Sequence, residues 1–130
     1  MTNWNTPIVL DLGTGFLKAG LSTSPIPDFV LPNSVGRPIL RSDESFSRAK
    51  LKDVMVCDEI IPVRQYLDLT FPVEHGVIKN WDDEKLVMDY LYKQKFKINP
   101  EEHQVLITEA PLNPVENRKR LFEEFFETFN

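Results

Sequence analysis

The residues with the clearest chemical potential lie in the segment 11–15, which reads DLGTG. Asp11 ends an apolar, β-rich stretch, so its carboxylate is predicted to lie at a strand end, where it could hold a hydrated Mg²⁺. Gly13 and Gly15 predict a tight turn that exposes backbone N–H groups to phosphate, and the hydroxyl of Thr14 adds a donor. Lys18 follows three residues later, within reach of the same phosphate. The segment therefore predicts a phosphate-binding turn, although most turns of this composition have no ligand.

The turn is not a P-loop. That motif requires Gly-x-x-x-x-Gly-Lys-Ser/Thr leading into a helix. Here β-rich segments lie on both sides, at 8–12 and 16–21, so two strands joined by a glycine turn are predicted. Short strands are also predicted at 29–31, 54–56 and 104–108. Together with the two helices described next, these strands predict a mixed α/β fold.

The first predicted helix covers about 82–95, with Asn80 as its N-cap and three acidic residues, Asp82, Asp83 and Glu84, complementing the positive helix start. Two apolar faces follow from the 3.6-residue period. The first is predicted to be core and the second to be either core or a partner contact. The first face consists of Leu86, Val87, Tyr90 and Leu91, and the second of Met88, Tyr92 and Phe96.

The second predicted helix runs from 114 to about 127. Asn113 is the expected N-cap, Pro114 the first helical residue, and Glu116 lies three residues after the cap. One side of this helix is rich in phenylalanine and must be covered by another surface. Its residues are Leu121, Phe122, Phe125, Phe126 and Phe129.

Composition limits the function. The 130 residues carry 20 acidic and 15 basic side chains, a net charge of −5, which disfavours a general nucleic-acid binder. No apolar run is long enough to suggest a membrane span, and the first seven residues lack the pattern of a secretory signal. Cys57 is the single cysteine and has no metal-ligand spacing to a histidine, so a buried thiol in a cytoplasmic protein is expected.

Residues 39–53 form the most polar part of the sequence and are predicted to be a surface loop. Within residues 41–53, only Phe46 and Leu51 are large apolar residues. Because charged side chains gain little from exposed ion pairs, this loop is not expected to drive self-association.

Five segments in order resemble signatures of the actin family. They read DLGTGFLKAG at 11–20, PNSVGRP at 32–38, FPVEHGVIKNWDD at 71–83, LITEAPLNP at 106–114 and FETFN at 126–130. The resemblance implies a fold related to hexokinase and the Hsp70 chaperones, with ATP and Mg²⁺ in a cleft between two lobes. It implies phosphate contacts for Gly13, Thr14, Gly15 and Lys18, and a water-mediated Mg²⁺ contact for Asp11. It implies no catalytic residue within the chain.

Within the family, two segments look more like an actin-related subunit of the complex that starts branched filaments than like conventional actin: GRPILRS at 36–42 and KDVMVCDE at 52–59. Two others, EHG at 74–76 and PEEH at 100–103, are more like conventional actin, so a divergent actin that polymerises with itself stays an alternative. Leu12 and Cys57 replace the asparagine and glycine that are usual in the family. His75 would lie near the nucleotide-sensing region, although a structural hydrogen bond is the commoner role for such a histidine.

The resemblance also implies partners and a cellular place. They are actin, the other subunits of an actin-related complex and nucleation-promoting factors, in the cytoplasmic cytoskeleton, with neither nucleic acid nor membrane insertion. The second phosphate hairpin, the water-positioning residues and the adenine pocket of the family are not in these 130 residues. We therefore expect the chain to be a fragment that is not an ATPase by itself; a short product acting as a docking module is the alternative.

Overall fold

The computed structural model describes residues 5–39 and 51–129. The central part of the predicted surface loop, 40–50, lies outside the described residues. The strands are β1 (Asn5–Leu12), β2 (Phe16–Leu21), β3 (Phe29–Pro32), β4 (Val35–Pro38), β5 (Met55–Val56), β6 (Leu67–Thr70), β7 (Val73–Glu74), β8 (Val77–Ile78) and β9 (His103–Ile107). The α-helices are α1 (Trp81–Tyr90) and α2 (Val115–Glu127).

The main sheet has four strands in the order β3-β2-β1-β9. Strands β1, β2 and β3 form an antiparallel meander, as the glycine turn and the prolines predict, whereas β9 pairs with β1 in parallel. Two parallel neighbours such as β1 and β9 need a long connection between them, and here this connection contains β2, β3, the smaller sheets and α1. The mixed α/β class predicted from the sequence is confirmed.

Two smaller sheets complete the strand pairing. β4 is the middle strand of a three-stranded sheet with β5 and β6, and β7 pairs with β8 in a short hairpin. A 3₁₀ segment, Cys57–Tyr66, connects β5 to β6. The predicted strand at 54–56 is confirmed by β5.

The core forms on one face of the main sheet. Alternate residues of β1, namely Ile8, Leu10 and Leu12, are buried, and β2 contributes Leu17 and Ala19 to the same face. This alternation is what a sheet with one covered face requires. The covering helix is α1, which contributes Val87 and Met88 to the core, and the helical turn after it adds Leu91 and Tyr92.

Helix α1 begins as predicted and ends differently. Asn80 is the N-cap, because its Oδ1 accepts the N–H of Asp83 at 3.1 Å. After Tyr90 the chain continues as a π-helical turn, Leu91–Phe96, which stops at Lys97 in the left-handed region (φ 56°). The predicted single helix to about 95 is therefore an α-helix followed by a π turn.

The predicted core face of α1 was partly wrong. Leu86 is 38% exposed, whereas Met88 and Tyr92 of the second stripe are buried and Phe96 packs edge-on against Phe29 at 5.0 Å between ring centroids. The core interpretation of that second stripe is confirmed. The buried face of α1 includes the acids Asp83 and Glu84 as well as Val87 and Met88. A prediction that assigns only apolar residues to the core therefore places the buried face too far around the helix.

The start of α2 also differs from the prediction. Pro114, not Asn113, occupies the N-cap position, with an extended backbone (φ −53°, ψ 137°), and the first helical residue is Val115. The Asn113 side chain donates to Glu109 at 3.5 Å instead of capping the helix. Proline at the cap position leaves the first turn with no side-chain acceptor, and the carbonyl of Pro114 accepts the N–H of Arg118 at 3.0 Å.

The phenylalanine-rich face of α2 is covered along one side and open along the other. Phe129 is buried against Tyr92, with 5.7 Å between ring centroids, and Phe125 packs against Phe129. Phe122 and Phe126 stack on each other but remain 55% and 65% exposed. The prediction that this face needs further cover therefore holds for the side formed by Phe122 and Phe126. No helix in the described part of the chain is long and apolar enough to cross a membrane.

Cys57 occupies a strained position. Its φ is 55°, in the left-handed region that favours glycine, and its side chain is completely buried. Burial raises the pKa of the thiol to about 12, so the residue is a neutral, inert thiol. The predicted buried thiol is confirmed, and the backbone angle explains why a glycine would suit this position.

Two leucines of the helical segment test the corrected core face. Leu91→Ala should lower stability by about 2–5 kcal/mol because Leu91 is completely buried. Leu86→Ala makes the same chemical change at an exposed position and should cost less than about 1 kcal/mol. Thermal melting of the complete protein carrying each variant measures the difference. Equal losses would mean that both leucines face the core.

Candidate functional site

The glycine turn joins β1 to β2, and its two glycines have different surroundings. A Cβ on Gly13 would lie 2.4 Å from the carbonyl oxygen of Phe16, so the turn closes only with glycine there. A Cβ on Gly15 would meet nothing within 4 Å. The turn is therefore tight at Gly13 and open to an approaching group at Gly15.

Asp11 and Lys18 lie directly opposite each other in the pairing of β1 with β2. Both side chains are thus on the sheet face opposite to the buried Leu10 and Leu12. Lys18 is exposed and has no ion-pair partner among the residues described. The geometry brings together the carboxylate and the cation that the sequence predicted to act side by side.

Thr108 orients the carboxylate of Asp11. Its hydroxyl donates to Oδ1 of Asp11 at 2.7 Å, across 97 positions of sequence. The parallel pairing of β9 with β1 explains the contact, because Leu10 is opposite Ile107 and the next residues of the two strands meet at the same sheet edge. The sequence analysis did not identify Thr108 as a site residue. Its position at the end of a predicted strand was visible in the sequence, but that position indicates a contact with Asp11 only once β9 is known to pair with β1.

Thr14 is held by a second turn. Its Oγ1 accepts the N–H of Gly76 at 3.0 Å, so its own hydroxyl hydrogen is free to donate elsewhere, as the sequence predicted. Gly76 and the exposed His75 form the turn between β7 and β8, with φ angles of 78° and 51°. A Cβ on Gly76 would lie 2.9 Å from that of Ala110, so this turn also requires glycine. The β7–β8 turn therefore lies against the glycine turn.

Asn33 supports the glycine turn from the core side. Its backbone N–H donates to the carbonyl of Gly15 at 3.0 Å, and its side-chain Nδ2 donates to the carbonyl of Gly13 at 3.0 Å. The same Nδ2 lies 3.4 Å from Oε1 of Glu84 in α1. Asn33 is completely buried, so these bonds form away from water. The sequence analysis quoted Asn33 only as part of a signature; its place directly after the predicted strand at 29–31 was the usable signal.

Glu84 is a buried carboxyl group that forms no ion pair with any residue of the described ranges 5–39 and 51–129. It is 3% exposed, and burial raises its pKa to about 7, against the opposing effect of the Asn33 hydrogen bond. Its neighbour Asp83 has a different environment, because Arg37 of β4 binds it through two N–H groups at 2.7 and 3.3 Å. The prediction that these acids only complement the helix start was therefore incomplete.

The residues present fit a phosphate group with its metal. Asp11 keeps Oδ2 without a partner in the described part of the chain, Lys18 offers an unpaired cation, and the side of the turn at Gly15 is open. Among residues 5–39 and 51–129, no three His, Cys, Asp or Glu side chains lie together in a way that could hold a metal alone. A Mg²⁺ here would therefore take most of its oxygens from phosphate and water, as Mg²⁺ commonly does.

Comparison with known proteins identifies the family of the chain. The family model described as Actin matches residues 2–130, nearly the whole chain. The chain belongs to the actin family. This family is a nucleotide-binding fold. Family membership therefore makes phosphate binding by the glycine turn more plausible than the turn sequence does by itself.

Within the actin family, the chain is similar to proteins named actin-related protein 2 from distant organisms. Identity is 44% to the Saccharomyces cerevisiae protein over 97% of this chain, and 41% to the Acanthamoeba castellanii protein over 99%. It is 40% to the Arabidopsis thaliana protein over 100% of this chain. In each case the chain spans about a third, 33%, of the relative's length.

Replacing Glu84 tests the buried carboxyl group through pH. The pKa is 4.5 for an ordinary glutamate and about 7 in the folded protein, so the folded state keeps a proton that the unfolded state loses between these values. Stability therefore falls as pH rises through this window, by on the order of 3 kcal/mol in total. Glu84→Gln should melt higher than the unmodified protein at pH 8 and much closer to it at pH 5.

The control for this experiment is Glu123→Gln, which removes an exposed glutamate from α2. It should change the melting temperature little at either pH. A stability difference for Glu84→Gln that is the same at pH 5 and pH 8 would contradict a buried carboxyl group with a raised pKa.

Proposed function

We propose that the protein carrying this chain binds ATP with Mg²⁺ at the glycine turn and acts as an actin-related subunit of the complex that starts branched actin filaments. The observation that carries the nucleotide part is the juxtaposition of Asp11, Lys18 and the glycine turn at one edge of the main sheet. The subunit part is supported by the similarity to proteins named actin-related protein 2.

Each residue of the turn has a distinct task in this proposal. The backbone N–H groups of Thr14 and Gly15 face the phosphate oxygens, and Thr14 adds its hydroxyl hydrogen. The N–H of Gly13 donates to the carbonyl of Asp11 at 3.1 Å, so Gly13 shapes the turn and does not offer its N–H to phosphate. Lys18 supplies a positive charge that complements the phosphates. Asp11, oriented by Thr108, accepts hydrogen bonds from metal-bound water. The bound Mg²⁺ would neutralise part of the phosphate charge.

The role proposed for the complete protein is assembly. Together with a sister subunit and accessory proteins, it would imitate the end of an actin filament, from which a branch grows, and nucleotide would adjust its shape. Its partners would be actin, other subunits of the complex and nucleation-promoting factors in the cytoplasmic cytoskeleton. We place these functions in the complete protein because this chain spans about a third of its relatives' length.

Lys18 gives the direct test of nucleotide binding. In the complete protein, Lys18→Met should weaken Mg-ATP binding because the phosphates lose a charge partner, and the loss is about 2–5 kcal/mol if the bound nucleotide desolvates this contact. Lys119→Met is the matched control, since Lys119 is an exposed lysine on α2. Isothermal titration measures both affinities. An unchanged dissociation constant for Lys18→Met would show that this lysine does not contact the nucleotide.

The assembly proposal is tested by sedimentation of the complete purified protein in magnesium and potassium salt. We expect it to remain in the supernatant, as a monomer or within a complex of fixed subunits, under conditions in which conventional actin forms filaments. The polar composition of residues 39–53 is the reason, since such a loop gains little free energy from contact with a second copy. Abundant filaments made from the protein alone would favour the divergent-actin alternative.

A further inference from the structure

The carbonyl groups of the glycine turn point toward Asn33. Gly13 O accepts the side-chain amide of Asn33, and Gly15 O accepts its backbone N–H, both at 3.0 Å. The described peptide bonds are all trans, and the C=O and N–H groups of a trans peptide point in opposite directions. The N–H of Thr14, which shares a peptide with Gly13 O, is thereby directed away from Asn33.

Two acceptors fix the orientation of the Asn33 amide. One is Gly13 O and the other is Oε1 of Glu84, at 3.0 and 3.4 Å from Nδ2. Rotating the amide by half a turn would place Oδ1 against two other oxygens, which is unfavourable. Since Asn33 and Glu84 are 0% and 3% exposed, water does not compete for these positions.

Helix α1 holds Glu84 in place. The adjacent Asp83 is bound by Arg37 of β4 and by the side chain of Asn80, so the first turn of α1 has a fixed position relative to β4. Two consecutive contacts therefore connect the turn to the helix, Gly13 to Asn33 and Asn33 to Glu84, and the contact of Asp83 with Arg37 connects the helix to β4. Asn33, Asp83 and Glu84 are all buried.

We propose that Asn33 and Glu84 are positioning residues of the phosphate-binding turn, with Asn33 directing the Thr14 N–H toward phosphate and Glu84 holding Asn33 in the required orientation. The proposal rests on the proposed binding of ATP by the complete protein. Neither residue contacts the nucleotide. Their effect is on the conformation that the turn has before the nucleotide arrives, which lowers the cost of ordering on binding.

The test uses the complete protein with Mg-ATP as the titrant. Asn33→Ala should raise the dissociation constant about tenfold, because the turn loses the hydrogen bond that orients it. Glu84→Leu should produce a similar loss, since it removes the acceptor that orients Asn33. Glu84→Gln keeps an acceptor oxygen at the same place and should retain most of the affinity that Glu84→Leu loses.

A destabilised control separates positioning from general loss of stability. Leu91→Ala weakens the core without contact with the turn and should lower the melting temperature while leaving the affinity within about twofold. Hydrogen exchange of the free protein adds a second measurement: the amides of residues 13–16 should exchange faster in Asn33→Ala than in Leu91→Ala.

The outcomes distinguish this proposal from the proposed function. Normal affinity in Asn33→Ala, or an affinity loss in Leu91→Ala equal to that in Asn33→Ala, would overturn the positioning role and leave ATP binding intact. Equal losses in Glu84→Gln and Glu84→Leu would overturn the role of the Glu84 acceptor. Absence of Mg-ATP binding by the unmodified protein would overturn the proposed function and, with it, this role.

Discussion

The hydrogen bonds of Asn33 connect the glycine turn to the rest of the fold. This one buried residue contacts both glycines of the turn through its side chain and backbone, and contacts α1 through Glu84. The turn is held on its other side by the N–H of Gly76, which donates to Thr14 Oγ1, while Asn33 supplies the donors for the carbonyls of Gly13 and Gly15. A loop that binds an anion through backbone N–H groups requires such support, since the direction of each N–H depends on the peptide planes.

The two buried acids of α1 show two solutions to one electrostatic problem. Asp83 is neutralised by the two-point contact with Arg37, which keeps its charge compatible with burial. Glu84 has only an amide donor, and burial accordingly raises its pKa to about 7. A buried carboxyl group of this kind costs stability at neutral pH. Groups with a strongly shifted pKa occur often at functional sites. The contact of Glu84 with Asn33, which bonds the glycine turn, agrees with this tendency.

Local sequence was sufficient to predict the parts that depend on local chemistry. The glycine turn, the strands beside it, the Asn80 cap and the joint position of Asp11 and Lys18 all follow from neighbouring residues. Thr108 could not be predicted as the partner of Asp11, because that contact depends on which strand pairs with β1 and in what direction. Glu84 was missed because a charged residue is ordinarily assigned to a helix surface.

The cap of α2 illustrates a different limit. Asn113 and Pro114 both have local preferences that suit a helix start, and the sequence does not say which of them takes the last extended position. In the structure Pro114 takes it, and the side chain of Asn113 turns to Glu109. Competition between two satisfactory local arrangements is decided by tertiary contacts, so boundaries are harder to predict than the elements themselves.

The central claim is that the glycine turn of this actin-family chain binds the phosphates of ATP. An experimental structure of the complete protein with Mg-ATP tests this claim most directly. We predict phosphate oxygens within hydrogen-bond distance of the N–H groups of Thr14 and Gly15 and of Lys18, and a Mg²⁺ linked through water to Asp11. Phosphates bound elsewhere, with the glycine turn and Lys18 facing solvent, would contradict the account.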